Sequence, residues 1–449
     1  MLEELSSRVR NGSLDPTDLV EEALRRIDAS AHLNAVVDVY ADEARTVAAT
    51  HSRTGELAGL PLLVKDMARV KGHVTTSGSR LYANGPADET DDTVVDRLRA
   101  AGAIVIGRTN SPEFGATAYT SNPVFGATRN PWNTEKAPGG SSGGSAAALA
   151  AGLTPLATTS DGGGSVRGPA SAVGLVGYKP TMGAIGRNIL PRWIEFSTQG
   201  ATNATVADVL YEARVTLGAA RGDFLSVPRG GINLEPSLPT RVLACRTFRS
   251  DVDPEIEENF ERTLDAIART GIPVERVDPP SNNDTIWNWF VISTAELAQS
   301  LRHEEHRWSE MSDYVQQQLR FGSTVTLDQY IAAQRFRHEV SARFDDILQN
   351  GAVLVTPTAN ARAWPAEGPL PTRAGTTDDP MVTLNTPDNN FTGHPAVSVP
   401  MGLDNHGVPT GFQIVAPRFE DGLALGLAQV IERAQPWPLC APGYERFSL

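Results

Sequence analysis

The chain has 449 residues, 40% of them hydrophobic, which is enough apolar material for a large buried core. That length exceeds the usual size of a single core, so two domains or one enzyme built on a large sheet are expected. The formal net charge of −14 is spread along the chain, which argues against a nucleic-acid partner and favours a soluble protein. The two cysteines, Cys245 and Cys440, lie far apart and make no disulfide framework, so free thiols are expected.

The sequence shows no targeting or membrane-spanning pattern. The N-terminal Met-Leu-Glu-Glu stretch lacks the basic and then apolar order of a signal peptide, and no apolar run approaches the roughly 18 residues that cross a bilayer. A cytoplasmic protein with no membrane partner is therefore expected. His303 and His306 are spaced as metal ligands can be, but no third ligand is evident, so no metal site is predicted.

The first 65 residues predict helices followed by a short buried strand. Apolar side chains recur at helical spacing after the cap-like stretch Leu14–Asp18 and continue in the same style over Ala41–His51. The strand, Leu62–Val64, ends in Lys65. A lysine in that position usually extends its ammonium group to solvent, so the residues alone assign it no chemistry.

The stretch from Pro138 to Gly174 contains two glycine-serine clusters, Gly139–Ser145 and Gly162–Ser165. The small apolar run between them predicts a short buried helix over Ala146–Ala151, ended by Gly152, and then a strand-like segment at 154–159. Both clusters are therefore predicted to be tight turns at the ends of buried elements. Glycines in such turns let a ligand approach backbone N–H groups closely, and the serines between them are candidate nucleophiles.

The rest of the chain alternates strand-like and helical patterns. Strands are predicted at 173–178, 240–245, 352–358 and 409–415, and helices at 254–270 and 422–432. Residues 281–345 are dense in aromatic side chains and predict a helical region whose aromatic residues form either an ordinary core or the wall of an acyl or aryl pocket. A loop rich in Pro, Gly and Thr is predicted over 359–380, near the mouth of the pocket.

Three kinds of chemistry compete for the glycine-serine clusters. A phosphate-binding loop would need a lysine after the second cluster, and none is present. A nucleophile elbow with Ser142 as nucleophile matches Gly140–Gly144, but it must follow a strand, and the preceding stretch 130–138 contains two prolines and cannot be one. The third interpretation is an amidase that uses two serines and a lysine.

The residues that favour this third interpretation are Gly139-Gly-Ser-Ser-Gly-Gly-Ser145, the small apolar run, and Gly163-Gly-Ser-Val-Arg167. Together they resemble the long and specific pattern of the amidase signature family. The resemblance covers nearly the whole chain, with 281–345 the main gap. It implies an α/β fold with a large central mixed β-sheet flanked by helices on both faces and with a helical cap region. It also implies a single domain over 1–449, made of N-terminal helices (1–55), an α/β core (56–280 and 346–449) and a variable helical region lining the substrate pocket (281–345).

The resemblance also assigns the catalytic residues. It implies Ser165 as the nucleophile, Ser141 as a proton relay that follows Gly140 through a cis peptide, and Lys65 as the base. The two serines are 24 residues apart (165 − 141), which is the separation that the family pattern requires. A base at position 65 must be a neutral amine, which burial favours by lowering the pKa of a lysine.

The neighbouring residues receive other roles. The backbone N–H groups of Gly162, Gly163, Gly164 and Ser165 would form the oxyanion hole. Asp161 and Arg167 flank that turn and are expected to pair and fix it, Lys179 is expected to be structural, and His394 is a candidate pocket residue.

The resemblance implies an amidase that needs no cofactor and hydrolyses the C–N bonds of amides, and of carbamates as a urethanase, through a Ser–cis-Ser–Lys triad and an acyl-enzyme. The stretch Ser160–Ser165 is more similar to stand-alone amidases, such as aryl acylamidases, nylon-oligomer hydrolases and urethanases, than to amidotransferase subunits. The alternative is an A-type amidotransferase subunit of a multi-protein complex. Family members are often dimers, so a homodimer is expected by analogy, and the substrate itself is left open.

Overall fold

The strands form two large β-sheets and a short hairpin in the computed structural model, which describes residues 1–361, 363–369 and 383–449. The described strands are β1 (Val36–Val39), β2 (Pro61–Lys65), β3 (Ile104–Thr109), β4 (Ser121–Asn122), β5 (Gly126–Ala127), β6 (Leu156–Ala157), β7 (Thr159–Asp161), β8 (Val176–Lys179), β9 (Thr198–Asn203), β10 (Arg241–Ala244), β11 (Val274–Arg276), β12 (Ala352–Pro357), β13 (Ala396–Leu403) and β14 (Pro409–Val415). The smaller sheet has the order β1-β3-β2-β6, the larger has the order β11-β10-β12-β14-β13-β8-β9-β7, and β4 pairs with β5.

Helices cover both faces of the larger sheet, as the resemblance implies. The described helices are α1 (Leu2–Arg10), α2 (Pro16–Ala29), α3 (Ala41–Ala49), α4 (Thr93–Ala100), α5 (Gly143–Ala150), α6 (Arg167–Val173), α7 (Val206–Thr216), α8 (Pro254–Ala268), α9 (Asn283–Ser300), α10 (Asp313–Gly322), α11 (Leu327–Ile347), α12 (Pro387–Phe391) and α13 (Asp421–Ala434). Among these helices, none combines the length and the apolar composition that a membrane crossing requires.

Side chains that alternate between the two faces of the larger sheet contribute to two separate hydrophobic cores. Val353 and Val355 of β12 join a core with α7, α8 and α13, whereas Leu354 joins a core with α9 and α11 on the opposite face. Successive residues of a strand point to opposite faces, so one apolar run supplies both cores. The sheet itself is mixed, because β10, β11 and β12 run parallel while β12 and β13 both pair antiparallel with β14. The predicted large mixed sheet flanked by helices is confirmed.

The segment after α5 passes from one sheet to the other. Ala157 in β6 pairs with Leu63 in the smaller sheet, and two residues later Thr159 in β7 pairs with Gly200 in the larger one. The single strand predicted over 154–159 is therefore two short strands in different sheets. This crossing brings the end of β2 next to the start of the second glycine-serine cluster.

The two clusters begin helices that pack on each other, α5 and α6. All eight residues of α5 are buried, and the helix begins at Gly143, three residues before the predicted start. Helix α6 was not predicted, because Gly168 and Pro169 together are typical of a turn. Pro169 lies in the first turn of α6, where a helix leaves the N–H group unpaired in any case, so the proline costs the helix little.

The later elements largely follow the sequence-based predictions. Strands β12 and β14 and helix α13 lie where strands and a helix were predicted, and 281–345 is helical. The strand predicted at 173–178 is shorter, since Val173 ends α6 and β8 begins at Val176. The loop predicted over 359–380 lies partly outside the described residues.

Candidate active site

Lys65 ends β2 with its side chain enclosed by three serine hydroxyls. Its Nζ atom lies 2.8 Å from Ser141 Oγ, 2.9 Å from Ser142 Oγ and 3.0 Å from Ser160 Oγ. The side chain is 1% exposed, and no carboxylate of the described residues lies within ion-pair distance of it. The structure therefore brings together Lys65 and Ser141, which are 76 residues apart in sequence.

Burial lowers the pKa of Lys65 to about 7, because moving the ammonium group out of water penalises its charged form. The negative charge of Asp161 opposes this shift but does not overcome it. Burial thus favours the neutral amine form of Lys65 over the form that an exposed lysine has near neutral pH. A neutral amine has a lone pair, so one of its three hydroxyl neighbours can donate a proton to it.

The first glycine-serine cluster presents Ser141 to the lysine through an unusual backbone. The peptide bond between Gly140 and Ser141 is cis. Gly115, at a φ of +71°, lies so close that a Cβ atom added there would stand 3.2 Å from Ser141 Oγ and 2.7 Å from Met67 Cε. Only glycine allows the 113–116 turn to approach the serine this closely. The next serine, Ser142, is fully buried and does not line the cavity described below.

The second cluster presents Ser165 in a turn between β7 and α6. Ser165 lines a cavity together with Gly163, Gly164 and Gly140. Its hydroxyl makes no hydrogen bond to any residue in the described part of the chain, whereas Ser141 is held by Lys65. The hydroxyl of the candidate nucleophile is thus unengaged at the surface of the cavity.

A buried ion pair fixes this turn. Arg167 donates two hydrogen bonds to Asp161, at 2.8 Å and 3.0 Å, and both side chains are fully buried. Asp161 in turn accepts the backbone N–H groups of Gly164 at 2.7 Å and Val166 at 3.1 Å. Burial alone would raise the pKa of Asp161, but the Arg167 guanidinium holds it well below its usual range. The expectation that these residues pair and fix the loop is confirmed by these contacts.

This arrangement changes the predicted set of oxyanion donors. The Gly164 N–H group already donates to Asp161, so its predicted place in the oxyanion hole is corrected. The N–H groups of Gly162 and Gly163 have no acceptor among the described residues, and Gly163 lines the cavity. The N–H groups of Gly162, Gly163 and Ser165 therefore remain the candidates for an oxyanion hole, because the Ser165 N–H group also has no acceptor among the described residues.

The cavity at Ser165 is predominantly apolar. Its wall is formed by small and aromatic side chains, among them Ala116, Ala118, Trp193, Trp289, Phe290, Trp364 and Leu384. Asp404 is the one charged residue in the described part of the lining, and its carboxylate accepts the backbone N–H groups of His406 and Val408 at 2.9 Å. The described lining thus favours an uncharged, apolar group next to the nucleophile.

Two further candidates lie away from the cavity. His394 is buried and is hydrogen-bonded to Thr392 and Asp345, at 2.9 Å and 3.1 Å, and it does not line the cavity. Lys179 is buried in β8 and donates to the Pro180 carbonyl oxygen at 2.8 Å. These buried contacts fit a structural role for both His394 and Lys179.

The structure also adds residues to the site that the sequence did not single out. Ser160 supplies the third hydroxyl on Lys65, and it could have been suspected because it directly precedes Asp161 in a strand that ends at the cluster. Trp289 and Thr386 contact the glycine turn from distant segments. The dense aromatic content of 281–345 was the only signal for Trp289.

Comparison with known proteins places the chain in a family. The model of the family described as Amidase matches residues 18–425. The chain belongs to the amidase signature family. Its members hydrolyse C–N bonds of amides, and this amidase is an amidohydrolase of that family.

Individual relatives of this amidase fall into two groups. It is 32% identical to an acylamidase of Rhodococcus erythropolis, over 97% of this chain and 95% of that protein. It is 31% identical to the A-type subunit of the glutamyl-tRNA(Gln) amidotransferase of Halothermothrix orenii, over 96% of each. Among solved structures it is similar to a bacterial aryl acylamidase, with a TM-score of 0.88, 28% identity, and coverage of 97% of this chain and 96% of that one.

Loss of the buried ion pair is expected to destabilise the amidase strongly. Replacing Arg167 in R167M leaves the Asp161 carboxylate buried without its cation, which should lower the free energy of unfolding by about 3–5 kcal/mol. The pair between the exposed Arg25 and Glu22 offers a matched control, and R25M should change the free energy of unfolding far less, because water screens that pair. Urea unfolding monitored by circular dichroism measures both, and equal losses would contradict the structural role of the buried pair. Adding D161N to R167M should recover part of the loss.

Proposed function

We propose that this amidase hydrolyses uncharged amides with an apolar acyl or aryl group, and carbamates of similar shape, through Ser165, Ser141 and Lys65. The observation that carries the proposal is the 2.8 Å contact between the buried Lys65 Nζ atom and Ser141 Oγ. Burial gives this amine a pKa of about 7, which suits a general base at neutral pH. The position of Ser165 at the apolar cavity, beside glycine N–H groups that have no acceptor in the described part of the chain, supports its role as nucleophile.

The chemistry begins when Ser165 Oγ attacks the carbonyl carbon of the substrate. The Ser165 proton passes to Ser141 Oγ while the Ser141 proton passes to the neutral Lys65 amine, and the negative charge that forms on the carbonyl oxygen is held by backbone N–H groups. The Ser165 and Ser141 hydroxyls are not hydrogen-bonded to each other in this structure, so one of the serine side chains must rotate when substrate fills the cavity. Catalytic hydrogen bonds commonly tighten in this way on substrate binding.

Collapse of the tetrahedral intermediate breaks the C–N bond. The Lys65 ammonium returns its proton through Ser141 to the leaving nitrogen, which departs as a neutral amine and leaves an acyl group on Ser165. Water then attacks the acyl-enzyme, giving up its proton along the same route, and the carboxylic acid is released. With a carbamate the same steps leave an alkoxycarbonyl group on Ser165, whose hydrolysis yields an alcohol and carbon dioxide.

The second candidate is an amidotransferase subunit that hydrolyses glutamine, and the 31% identity to such a subunit favours it. Glutamine carries an α-ammonium and an α-carboxylate group, and a specific pocket must satisfy both charges. In the described lining, the only charged side chain is Asp404, which is occupied by backbone N–H groups. The apolar character of the described lining therefore supports the stand-alone amidase.

Alanine substitution tests the assigned roles. We expect K65A, S141A and S165A each to lower kcat on an anilide by about 10³-fold or more, because the three residues act as a unit. S145A is the matched control, since it removes a hydroxyl of the same cluster that contacts Thr109 and Thr158 rather than Lys65. Turnover is followed by release of the aniline, and circular dichroism checks folding. Loss of activity in S142A with retention in K65A would instead identify Ser142 as the nucleophile.

The pH profile tests the protonation state of Lys65. Because the ammonium form cannot accept a proton, kcat/KM on an uncharged anilide should rise with pH through a single ionisation near pH 7 and level off above it. An anilide is used because it does not titrate in this range. If kcat/KM is constant between about pH 5 and 9, Lys65 is not a base with a lowered pKa. The same conclusion follows if the residual activity of K65A still rises with pH near pH 7.

A direct comparison of substrates separates the two candidate functions. The chain alone should hydrolyse a neutral aryl amide and an aryl carbamate, and should release little ammonia from glutamine, because the described lining offers glutamine no free charge. Ammonia release and aniline release are measured on the same preparation. Glutamine hydrolysis that appears only after partner proteins are added, without turnover of the aryl amide, would favour the amidotransferase alternative.

A further inference from the structure

Several polar backbone atoms of the nucleophile turn have hydrogen-bond partners, and the groups that have none among the described residues are informative. The Gly162 carbonyl oxygen accepts a hydrogen bond from Trp289 Nε1–H at 3.1 Å. The Gly163 carbonyl oxygen accepts one from Thr386 Oγ1–H at 2.8 Å, and the Gly164 N–H group donates to Asp161 at 2.7 Å. The Gly163 N–H group, which belongs to a residue lining the cavity, has no acceptor in the described part of the chain.

The Gly162 carbonyl and the Gly163 N–H group belong to the same peptide unit. This unit is planar and trans, so the two groups point in opposite directions. A donor that fixes the direction of the carbonyl oxygen therefore also fixes the direction of the N–H group. It also polarises the unit, which strengthens the N–H group as a donor.

The indole ring of Trp289 is itself held in place. It is 4% exposed, it meets Trp193 edge-on with ring centroids 5.4 Å apart, and it stacks near Phe196 at 6.2 Å. A Cβ atom added to Gly163 would stand 2.6 Å from Trp289 Cζ2, so the ring lies directly against the backbone of that residue. Glycine at position 163 is what allows the ring to reach the Gly162 carbonyl oxygen.

We propose that Trp289 is a positioning residue for the oxyanion hole: its Nε1–H group orients the Gly162–Gly163 peptide so that the Gly163 N–H group faces the oxygen on which negative charge develops. The inference rests on the proposed function, since it needs Ser165 as the nucleophile. It assigns a role to a side chain from 281–345, a region to which the family resemblance gave no catalytic part. Trp289 acts through the peptide and touches no reacting atom.

Removal of the Nε1–H group alone gives the sharpest test. Benzothienylalanine, in which a sulfur atom replaces the Nε1–H group, is incorporated at position 289 and keeps the shape of the indole ring. W289F is a second variant, which needs only a standard amino acid. We expect the benzothienylalanine enzyme to have a kcat on an anilide lowered by about 10-fold with little change in KM, a smaller loss than the roughly 10²–10³-fold that follows removal of an oxyanion donor itself. W289F should lower kcat by a similar factor and also change KM, because it shortens a side chain of the cavity wall. A trifluoromethyl ketone that carries the same apolar group as the anilide reacts with the Ser165 hydroxyl to form a tetrahedral adduct with a negatively charged oxygen. The ratio of its inhibition constant to KM should rise about 10-fold, by the same factor by which kcat falls.

The matched control is W193F, which replaces a tryptophan of the same cavity whose Nε1–H group donates to no acceptor among the described residues. This variant should change KM and the inhibition constant together and leave their ratio as in the unmodified enzyme. An unchanged kcat for the benzothienylalanine enzyme, or a constant ratio of inhibition constant to KM in both position-289 variants, would overturn the proposal. Failure of the proposed function would show differently, because the unmodified enzyme would then not be inhibited by the ketone.

Discussion

The proposed chemistry depends on Lys65, which is buried among serine hydroxyls instead of carboxylates. Had a carboxylate contacted Lys65, the ammonium form would be stabilised and the amine would be a poor base near neutral pH. Serine hydroxyls can donate to a neutral amine as well as accept from an ammonium group, so they accommodate both protonation states. The strand crossing at 156–161 makes this environment possible, because it brings Ser160 from the larger sheet to the end of β2 in the smaller one.

Asp161, the carboxylate whose negative charge acts on the pKa of Lys65, has a structural role. Its two oxygens are occupied by Arg167 and by the backbone N–H groups of Gly164 and Val166, so it shapes the nucleophile turn while its effect on the lysine stays small. A strong ion pair at 0% exposure thus serves to hold backbone geometry. The residues proposed to react, Lys65 and the serines, are therefore next to the ion pair that holds the turn but are separate from it.

Much of the site could be predicted from short stretches of sequence. Lys65, Ser141, Ser165 and the Asp161–Arg167 pair all lie within or next to recognisable patterns, and the mixed sheet was implied by the resemblance to the amidase signature family. The partners of single backbone atoms could not be predicted in this way. Gly164 carries the right residue type for an oxyanion donor, yet its N–H group is taken by a carboxylate three residues away. Trp289 reaches Gly162 across 127 residues, and no local pattern encodes that contact. Helix α6 was missed because a glycine-proline pair is ambiguous between a turn and the first turn of a helix.

Helix α9 contributes to the cavity wall through Trp289, Phe290 and Ser293, and the same helix holds the Gly162 carbonyl oxygen. A natural or engineered change that slides this helix to admit a bulkier substrate would also tilt the peptide plane at 162–163. With the proposed role of Trp289, selectivity and turnover are mechanically linked, and variants that broaden the substrate range through α9 would carry a cost in rate.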